Sequence, residues 1–574
     1  MSAALAIPAS TPFPKLDEVV DRVKKGSKEF VKLGIDERIA MLEAFRDGYR
    51  RVALESAKAA CIAKGVDPES PTAGEELLAG PMVTIRILRL TAEALREVKL
   101  HGAPKLDRKA FRQLDDGRWA VQIFPNTKLD GTLLAKHTGE VYLKQGVGPE
   151  NIARHQASFY RQPHEGRLCL VLGAGNVNAI APTDVVYKMF VEGTACILKM
   201  NPVNAYLGPF IEQAFAPAIA RGFLAVVYGG AEEGAHLVNH ALVDEVHITG
   251  SDKTHDVMVW GPPGSDAAAR RARNEPLLKK EISSELGCIT PVIVVPGPYS
   301  EGELSFQGRN VAGMIANNGS FNCNSAKLLV TSKAWGGRQP LLDKIEAGLK
   351  LTSLRKAYYP GAEQRWRSFV DGRANVKLIG TPKPDELAWA MITDVDKNKR
   401  DDRVYTVEPW CGLVSEVNFD TPDVGPFLDD AVKFVNERVW GTLSTMMVVH
   451  PKTLEDPAGR AAVEKAIREL RYGAVAVNTW AGAVFGLGVA PWGAHPSSTL
   501  QDIQSGKGWV HNTFLFDHDV IEKFVLRAPV KASPIHPWFP GHKTADALAK
   551  KLIDFEMGPS WLKVPGIAAA ALRG

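Results

Sequence analysis

Paired cysteines are missing from this 574-residue chain. Its six cysteines, at 61, 169, 196, 288, 323 and 411, follow no pairwise spacing, which predicts free thiols and a reducing compartment. An excess of charge of either sign is missing too. The 69 Lys and Arg against 65 Asp and Glu leave +4, which gives no reason to expect nucleic acid or an anionic membrane as partner. The N-terminus, MSAALAIPASTPFPK, lacks the basic start and long apolar run of a secretory signal, so a cytoplasmic protein is expected. One uncharged run, Gly473 to Ala494, is long enough for a bilayer helix, but its five glycines, Asn478 and Pro491 would interrupt one repeatedly. It reads instead as a buried strand, AVAV, ending in a glycine-rich loop. His236 and His240 stand four apart on a predicted helix. No Glu follows the first and no third ligand stands at metal spacing, so surface or packing roles are expected and no metal. Nor is there a G-x-G-x-x-G fingerprint, since Gly173-Ala174-Gly175 lacks the third glycine.

What is present implies two or three domains, because the length exceeds what one core supports. Residues 15–100 carry the periodicity of amphipathic surface helices. Residues 101–165 alternate short mixed runs with Gly and Pro and predict irregular strands or an arm. From Arg167 strands and helices alternate: LCLVLGAG, a helix near 182–193, ACILKM, a helix near 206–220, LAVVYGG, a helix near 231–240, and EVHITGS. Repeated βα units imply a parallel sheet covered by helices, an α/β fold. Ligands bind such sheets at the carboxyl ends of the strands, where Lys199, Gly229-Gly230 and Gly250-Ser251 fall.

The stretch from 285 to 327 carries the chemistry. Glu285 precedes an apolar β-branched run (Ile289, Val292 to Val295), and Cys323 stands among Asn322, Asn324 and Ser325 just ahead of LLV at 328–330. A thiol at an element end, with a carboxylate and amide donors at hand, can attack a carbonyl and have its adduct released by activated water.

In order and spacing these pieces resemble the aldehyde dehydrogenase superfamily over about residues 30–515. The resemblance implies a Rossmann-type cofactor domain, an α/β catalytic domain and a β oligomerisation arm. It implies NAD or NADP as cofactor, an aldehyde as substrate, and a homodimer or homotetramer. In the family an Asn at a strand end supplies a donor to the oxyanion and a Lys on the next strand binds the cofactor ribose. Asn176 and Lys199 match these, at the family's own separation of 199 − 176 = 23. The stretch from Gly234 through HITGS, preceded by Gly230, would set Gly250 and Ser251 against the pyrophosphate at a helix start. ELGC resembles E-L-G-G and implies Glu285 as general base. EPWCG resembles E-[IV]-F-G-P and implies that Glu408 contacts the nicotinamide ribose and that Trp410 packs by the ring. NERVWGTLS, GAVAVN and PWGAHPSS continue the series. The implied boundaries are 1–284 for N-terminal helices, arm segment and dinucleotide-binding domain; 285–480 for the catalytic domain; 481–518 for a return to cofactor domain and arm; and 519–574 for a C-terminal extension.

Several departures matter. In the family a Gly stands three before the nucleophile, whereas Gly319 is four before Cys323 and an ungapped match would put Asn322 in its place. Asn cannot act as the nucleophile, so a one-residue shift in the loop is expected to bring Cys323 to the site. The alternatives are a catalytically inactive cofactor-binding relative and a CoA-dependent acyl reductase or acylating dehydrogenase, although acylating members commonly lack the Glu that this chain keeps at 285. Where NAD-preferring members often have Glu three after the ribose Lys, this chain has Pro202, so NADP is not repelled. About a dozen extra residues between Ser251 and Glu285 predict an exposed loop, and Cys288 is expected to serve packing.

Overall fold

The computed structural model describes residues 7–574. A six-stranded sheet has the order Gly506–Lys507, Glu281–Leu286, Glu245–Gly250, Leu168–Leu172, Ala195–Lys199, Leu224–Val227. All neighbours are parallel except the short edge strand Gly506–Lys507. Its central strands LCLVL and ACILK are apolar runs buried on both faces, as a parallel sheet under helices requires. Helix Phe13–Phe30 packs Leu16, Val20 and Val23 on one face. The other face meets helix Ile180–Phe190, every residue of which is buried, and beyond it helices Ile35–Ala63 and Val83–His101. Phe45, Phe190 and Phe215 interlock there, with Phe45 and Phe215 stacked at 4.3 Å between ring centroids.

The second sheet has eleven strands, in the order Phe111–Gln113, Trp119–Phe124, Thr138–Leu143, Ile521–Arg527, Ala474–Val477, Ser444–Val448, Thr290–Val294, Ala326–Ser332, Leu413–Phe419, Trp389–Ile392, Val376–Ile379. From Ile521–Arg527 to Trp389–Ile392 it is parallel; both flanks are antiparallel. The region read as an arm supplies the first three strands. They pair through Ile521–Arg527 with the parallel strands of the same sheet, so within one chain this region is continuous with them.

Three other expectations change. The stretch expected as a loop near 262–275 holds a helix, Ser265–Arg273, whose basic last turn suits the negative end of the helix dipole. The division drawn at 284/285 falls inside strand Glu281–Leu286, so Glu285 sits on the six-stranded sheet and Thr290–Val294 on the eleven-stranded one. Residues 521–527 of the supposed extension are a central strand. The remaining tail runs along helix Glu301–Ala316, where Gln307 donates to the Val530 carbonyl at 2.7 Å and Trp538 to Asn310 at 2.9 Å. Its helix Ala545–Met557 then docks on the N-terminal helices, where Glu556 pairs in the interior with Arg86 at 2.6 Å and Arg89 at 2.5 Å. The run from Gly473 to Ala494 is strand Ala474–Val477, helix Ala481–Leu487 and strand Pro491–Gly493, and among the described residues no helix is long and apolar enough to cross a membrane. His236 and His240 both face Asp17, at 2.6 and 3.6 Å.

Candidate active site

The two sheets meet at the three residues between Leu286 and Thr290, and Glu285 stands at that seam. Cys323 reaches it from a loop between helix Glu301–Ala316 and strand Ala326–Ser332. Asn318, Gly319 and Ser320 carry φ of 53°, 64° and 70°, three left-handed residues in succession that coil the chain tightly. Asn322 is spent inside this coil: its side chain donates to Asn317 Oδ1 at 2.9 Å and accepts from Asn318 Nδ2 at 3.0 Å. Cys323, one residue on, donates from Sγ to Glu285 Oε1 at 3.5 Å, while its carbonyl is held by the Thr290 hydroxyl at 3.0 Å. The coil thus sets the Cys323 thiol, and not the Asn322 amide, beside the Glu285 carboxyl.

Burial sets the charge states. Glu285 is 3% exposed and its Oε2 has no hydrogen-bond partner. Burial, then the nearby Asp184 carboxylate, pushes its pKa up to about 8, against which the Trp492 indole and the Cys323 thiol act. The Cys323 thiol is held well above its ordinary range by burial and by the Glu285 and Glu408 carboxyls. Glu408 lies over Gly287, where a side chain would collide with its carboxyl at 2.0 Å, and its Oε1 is enclosed without a partner. Burial raises it to about 8, with Lys327 opposing. Lys327 is 1% exposed, donates to the Ser320 carbonyl and hydroxyl at 2.5 and 2.7 Å, and is lowered to about 8 by burial. The site therefore holds a neutral thiol, two carboxyls poised near neutrality and one cation that pins the coil.

Asn176 is drawn to the same loop. Its side-chain amide donates to the Phe321 carbonyl at 2.9 Å, two residues before the thiol. Its backbone carbonyl accepts from the Lys64 ammonium at 2.8 Å and from Asn318 Nδ2 at 3.0 Å. Lys64, 3% exposed, also pairs with Glu76 at 2.8 Å and reaches Asn318 Oδ1 at 3.1 Å, which Tyr358 also meets at 3.1 Å. Sequence reading missed Lys64, Glu76 and Tyr358, which lie far from the motifs. Lys327 did leave a signal, a lone charge inside the apolar run of a buried strand.

Of the residues matched to a dinucleotide, Lys199, Gly230, Gly234, Gly250 and Ser251 stand at or just beyond the carboxyl ends of strands in the six-stranded sheet. Lys199 ends strand Ala195–Lys199, and its ammonium forms no hydrogen bond among the described residues; burial lowers its pKa and Glu233 opposes this. Gly230 caps helix Ala231–Asn239, and Gly234 one turn in has open space where a side chain would stand. Gly250 is exposed, and Ser251 caps helix Asp252–Trp260 through Lys253 N at 3.1 Å. Two helix starts, the Lys199 ammonium with no hydrogen bond among the described residues, and the orphaned Glu408 Oε1 and Trp410 Nε1 form a set of polar groups that fits a dinucleotide. Trp410 completes an aromatic group with Phe321 and Tyr359, at 6.5 and 5.5 Å between centroids. Pro202 opens the turn Pro202–Leu207 after Lys199 and leaves no carboxylate at that position.

No protein-family profile matches the chain. Solved structures do. The NADP-dependent glyceraldehyde-3-phosphate dehydrogenase from Bacillus halodurans C-125, complexed with NADP, superposes with a TM-score of 0.60 at 15% identity, over 90% of this chain and 92% of its own. The aldehyde dehydrogenase KauB from Pseudomonas aeruginosa does so at 0.59 and 17%, over 91% and 90%. An indole-3-acetaldehyde dehydrogenase complexed with NAD+ gives 0.58 and 17%, over 91% and 90%. At these identities the likeness is one of fold: the chain has the aldehyde dehydrogenase fold.

Proposed function

We propose that the protein oxidises an aldehyde to a carboxylic acid through a thioester on Cys323, with NAD or NADP as hydride acceptor. The observation that carries this reading is the Cys323 thiol at 3.5 Å from Glu285 Oε1, with Asn322 tied elsewhere. In this reading Glu285 takes the thiol proton and the sulfur adds to the aldehyde carbon. Asn176, freed from the Phe321 carbonyl, steadies the oxyanion together with a backbone N–H, a contact worth about 3 kcal/mol per donor. The bound dinucleotide supplies the hydride acceptor, and Lys199, Gly230, Gly234, Gly250, Ser251, Glu408 and Trp410 are the residues that would hold it. Once Glu285 has given up the thiol proton to solvent, it takes a proton from water as the hydroxide adds to the thioester carbon; the C–S bond then breaks, the proton passes from Glu285 to the leaving sulfur, and the acid is released with the thiol restored.

Glu285 favours water over a CoA thiol as the group that ends the cycle, since a thiol is partly ionised at neutral pH and has little need of a base. The missing acid at Pro202 favours acceptance of NADP beside NAD. The small-molecule partner is an aldehyde, and association into a dimer or tetramer remains part of the reading; the outer strands Phe111–Gln113 and Val376–Ile379 are the sheet edges available to it. The test is an aldehyde panel with each cofactor, followed by NAD(P)H absorbance. Turnover lost in Cys323→Ala, with cofactor-induced thermal stabilisation retained, is expected. Turnover that requires added CoA would favour the acylating enzyme, and cofactor binding without any turnover the inactive relative.

A further inference from the structure

Strands Glu245–Gly250 and Glu281–Leu286 run parallel with His247 opposite Ser283 and Thr249 opposite Glu285. Residues two apart on a strand share a face, so four polar side chains stand in two adjacent rows. Helix Ile180–Phe190 crosses that face and lays Asp184, 1% exposed, over them. Thr249 Oγ1 donates to Asp184 Oδ2 at 2.8 Å, His247 Nε2 lies 3.4 Å from the same oxygen, and His247 Nδ1 is 2.9 Å from Ser283 Oγ. Ser283 in turn lines a cavity of about 350 Å³, together with Tyr187, Glu192 and His518, whose rim includes the exposed His164, Glu165 and Glu281.

Burying the Asp184 carboxylate, the His247 imidazole and the Thr249 hydroxyl in one row is costly where apolar side chains would pack as well. Thr249, at one end of this row, is the register neighbour of Glu285, read above as the general base, and Ser283, at the other, lines a cavity open to the surface. The structure assigns Asp184, Thr249, His247 and Ser283 the role of a proton path from Glu285 to that cavity. They are positioning residues, and the assignment rests on the reading of Cys323 and Glu285 given above. Oxidising one aldehyde to a carboxylate releases two protons, one when the thiol adds and one when the acid product ionises. Glu285 accepts each. Glu285 and Thr249 are register neighbours whose side chains do not bond in this conformation, so the proton crosses from the unpartnered Glu285 Oε2 to the Thr249 hydroxyl when the carboxyl turns toward it; Thr249 passes one to Asp184, Asp184 one to His247 Nε2, and His247 releases the proton on Nδ1 to Ser283 and the water beyond. The groups facing Asp184 and Glu285 from other elements are His511 of strand Trp509–His511, Trp492 of strand Pro491–Gly493, and Cys323; burial lowers His511 to about 4 and keeps it neutral, so it competes for no proton.

The relay can be tested without cofactor, using 4-nitrophenyl acetate to acylate Cys323. Wild type should give a burst of about one nitrophenolate per chain and then a slower steady rate set by deacylation. In Asp184→Asn and in His247→Ala the burst amplitude, which counts folded sites, should persist while the steady rate falls by at least about tenfold, the lower range of acid–base effects. Added imidazole should restore His247→Ala and leave Asp184→Asn slow. Unchanged steady rates in both variants would overturn the relay, as would a loss that imidazole does not restore in His247→Ala. A wild type that hydrolyses the ester with this pattern but oxidises no aldehyde would sink the proposed function and leave the relay standing. A wild type without a burst would sink both.

Discussion

The Cys323 thiol and the Glu285 carboxyl face each other at 3.5 Å across the seam between the two sheets, and each depends on the other for its proton. With Glu285 raised from 4.5 to about 8, its base form is scarce at pH 6 and grows roughly tenfold per unit until about pH 8. Activity should therefore climb with pH and level off above about 8. In Glu285→Gln that rising limb should vanish along with most of the steady rate. A pH–rate profile of kcat for both proteins checks this, and a limb unchanged in the variant would assign it to another group.

Asn322 is expected to be structural. Asn322→Ala removes its bonds to Asn317 and Asn318, each worth about 1 kcal/mol, and should lower stability by about 1–2 kcal/mol. Turnover should fall less than about tenfold, far short of the loss in Cys323→Ala. Urea unfolding and steady-state kinetics measured on the same preparations separate the two effects.

Lys64 ties the N-terminal helices to both Asn176 and the cysteine coil. Lys64→Met strands Glu76 in the interior and should cost about 3–5 kcal/mol. The double variant Lys64→Met with Glu76→Leu should recover much of that stability yet leave kcat depressed, because the Asn176 carbonyl and Asn318 lose a shared donor. Full recovery of kcat in the double variant would reduce Lys64 to a packing role.

What could be read from the sequence follows from how local each cause is. The buried strands LCLVL, ACILK and AVAV announce themselves because apolar runs of that length have one stable use in a parallel sheet. Cys323 and Glu285 stand out in the sequence because each falls at an element end beside an apolar run. The coil that brings Cys323 rather than Asn322 to Glu285 was legible only as a need, since three left-handed residues in a row, two of them not glycine, leave no periodic trace. The partners Lys64, Glu76 and Asp184 were illegible because they act through space, from 112 and more residues away in the case of Lys64 with Asn176. The tail stayed unread for a related reason: its worth lies in Glu556 meeting Arg86 and Arg89 more than 460 residues earlier.

That tail contact has a measurable consequence. Glu556→Gln leaves Arg86 with Asp130 alone and Arg89 with the half-exposed Glu93, and should destabilise the protein by about 3–5 kcal/mol. Calorimetry should record a lower Tm, with the activity of the folded fraction little changed. A Tm equal to wild type would mean that the tail adds nothing to the core.

The central claim is that Cys323 carries an acyl group which Glu285 helps water to remove. The most direct measurement is peptide mass spectrometry of Glu285→Gln mixed with an aldehyde substrate and NAD(P)+ and quenched in acid. The peptide containing Cys323 should gain the mass of the acyl group in near one-to-one yield with NAD(P)H formed in the burst, while wild type shows little. An unmodified Cys323 peptide despite NAD(P)H formation, or the added mass on another cysteine, would contradict the account.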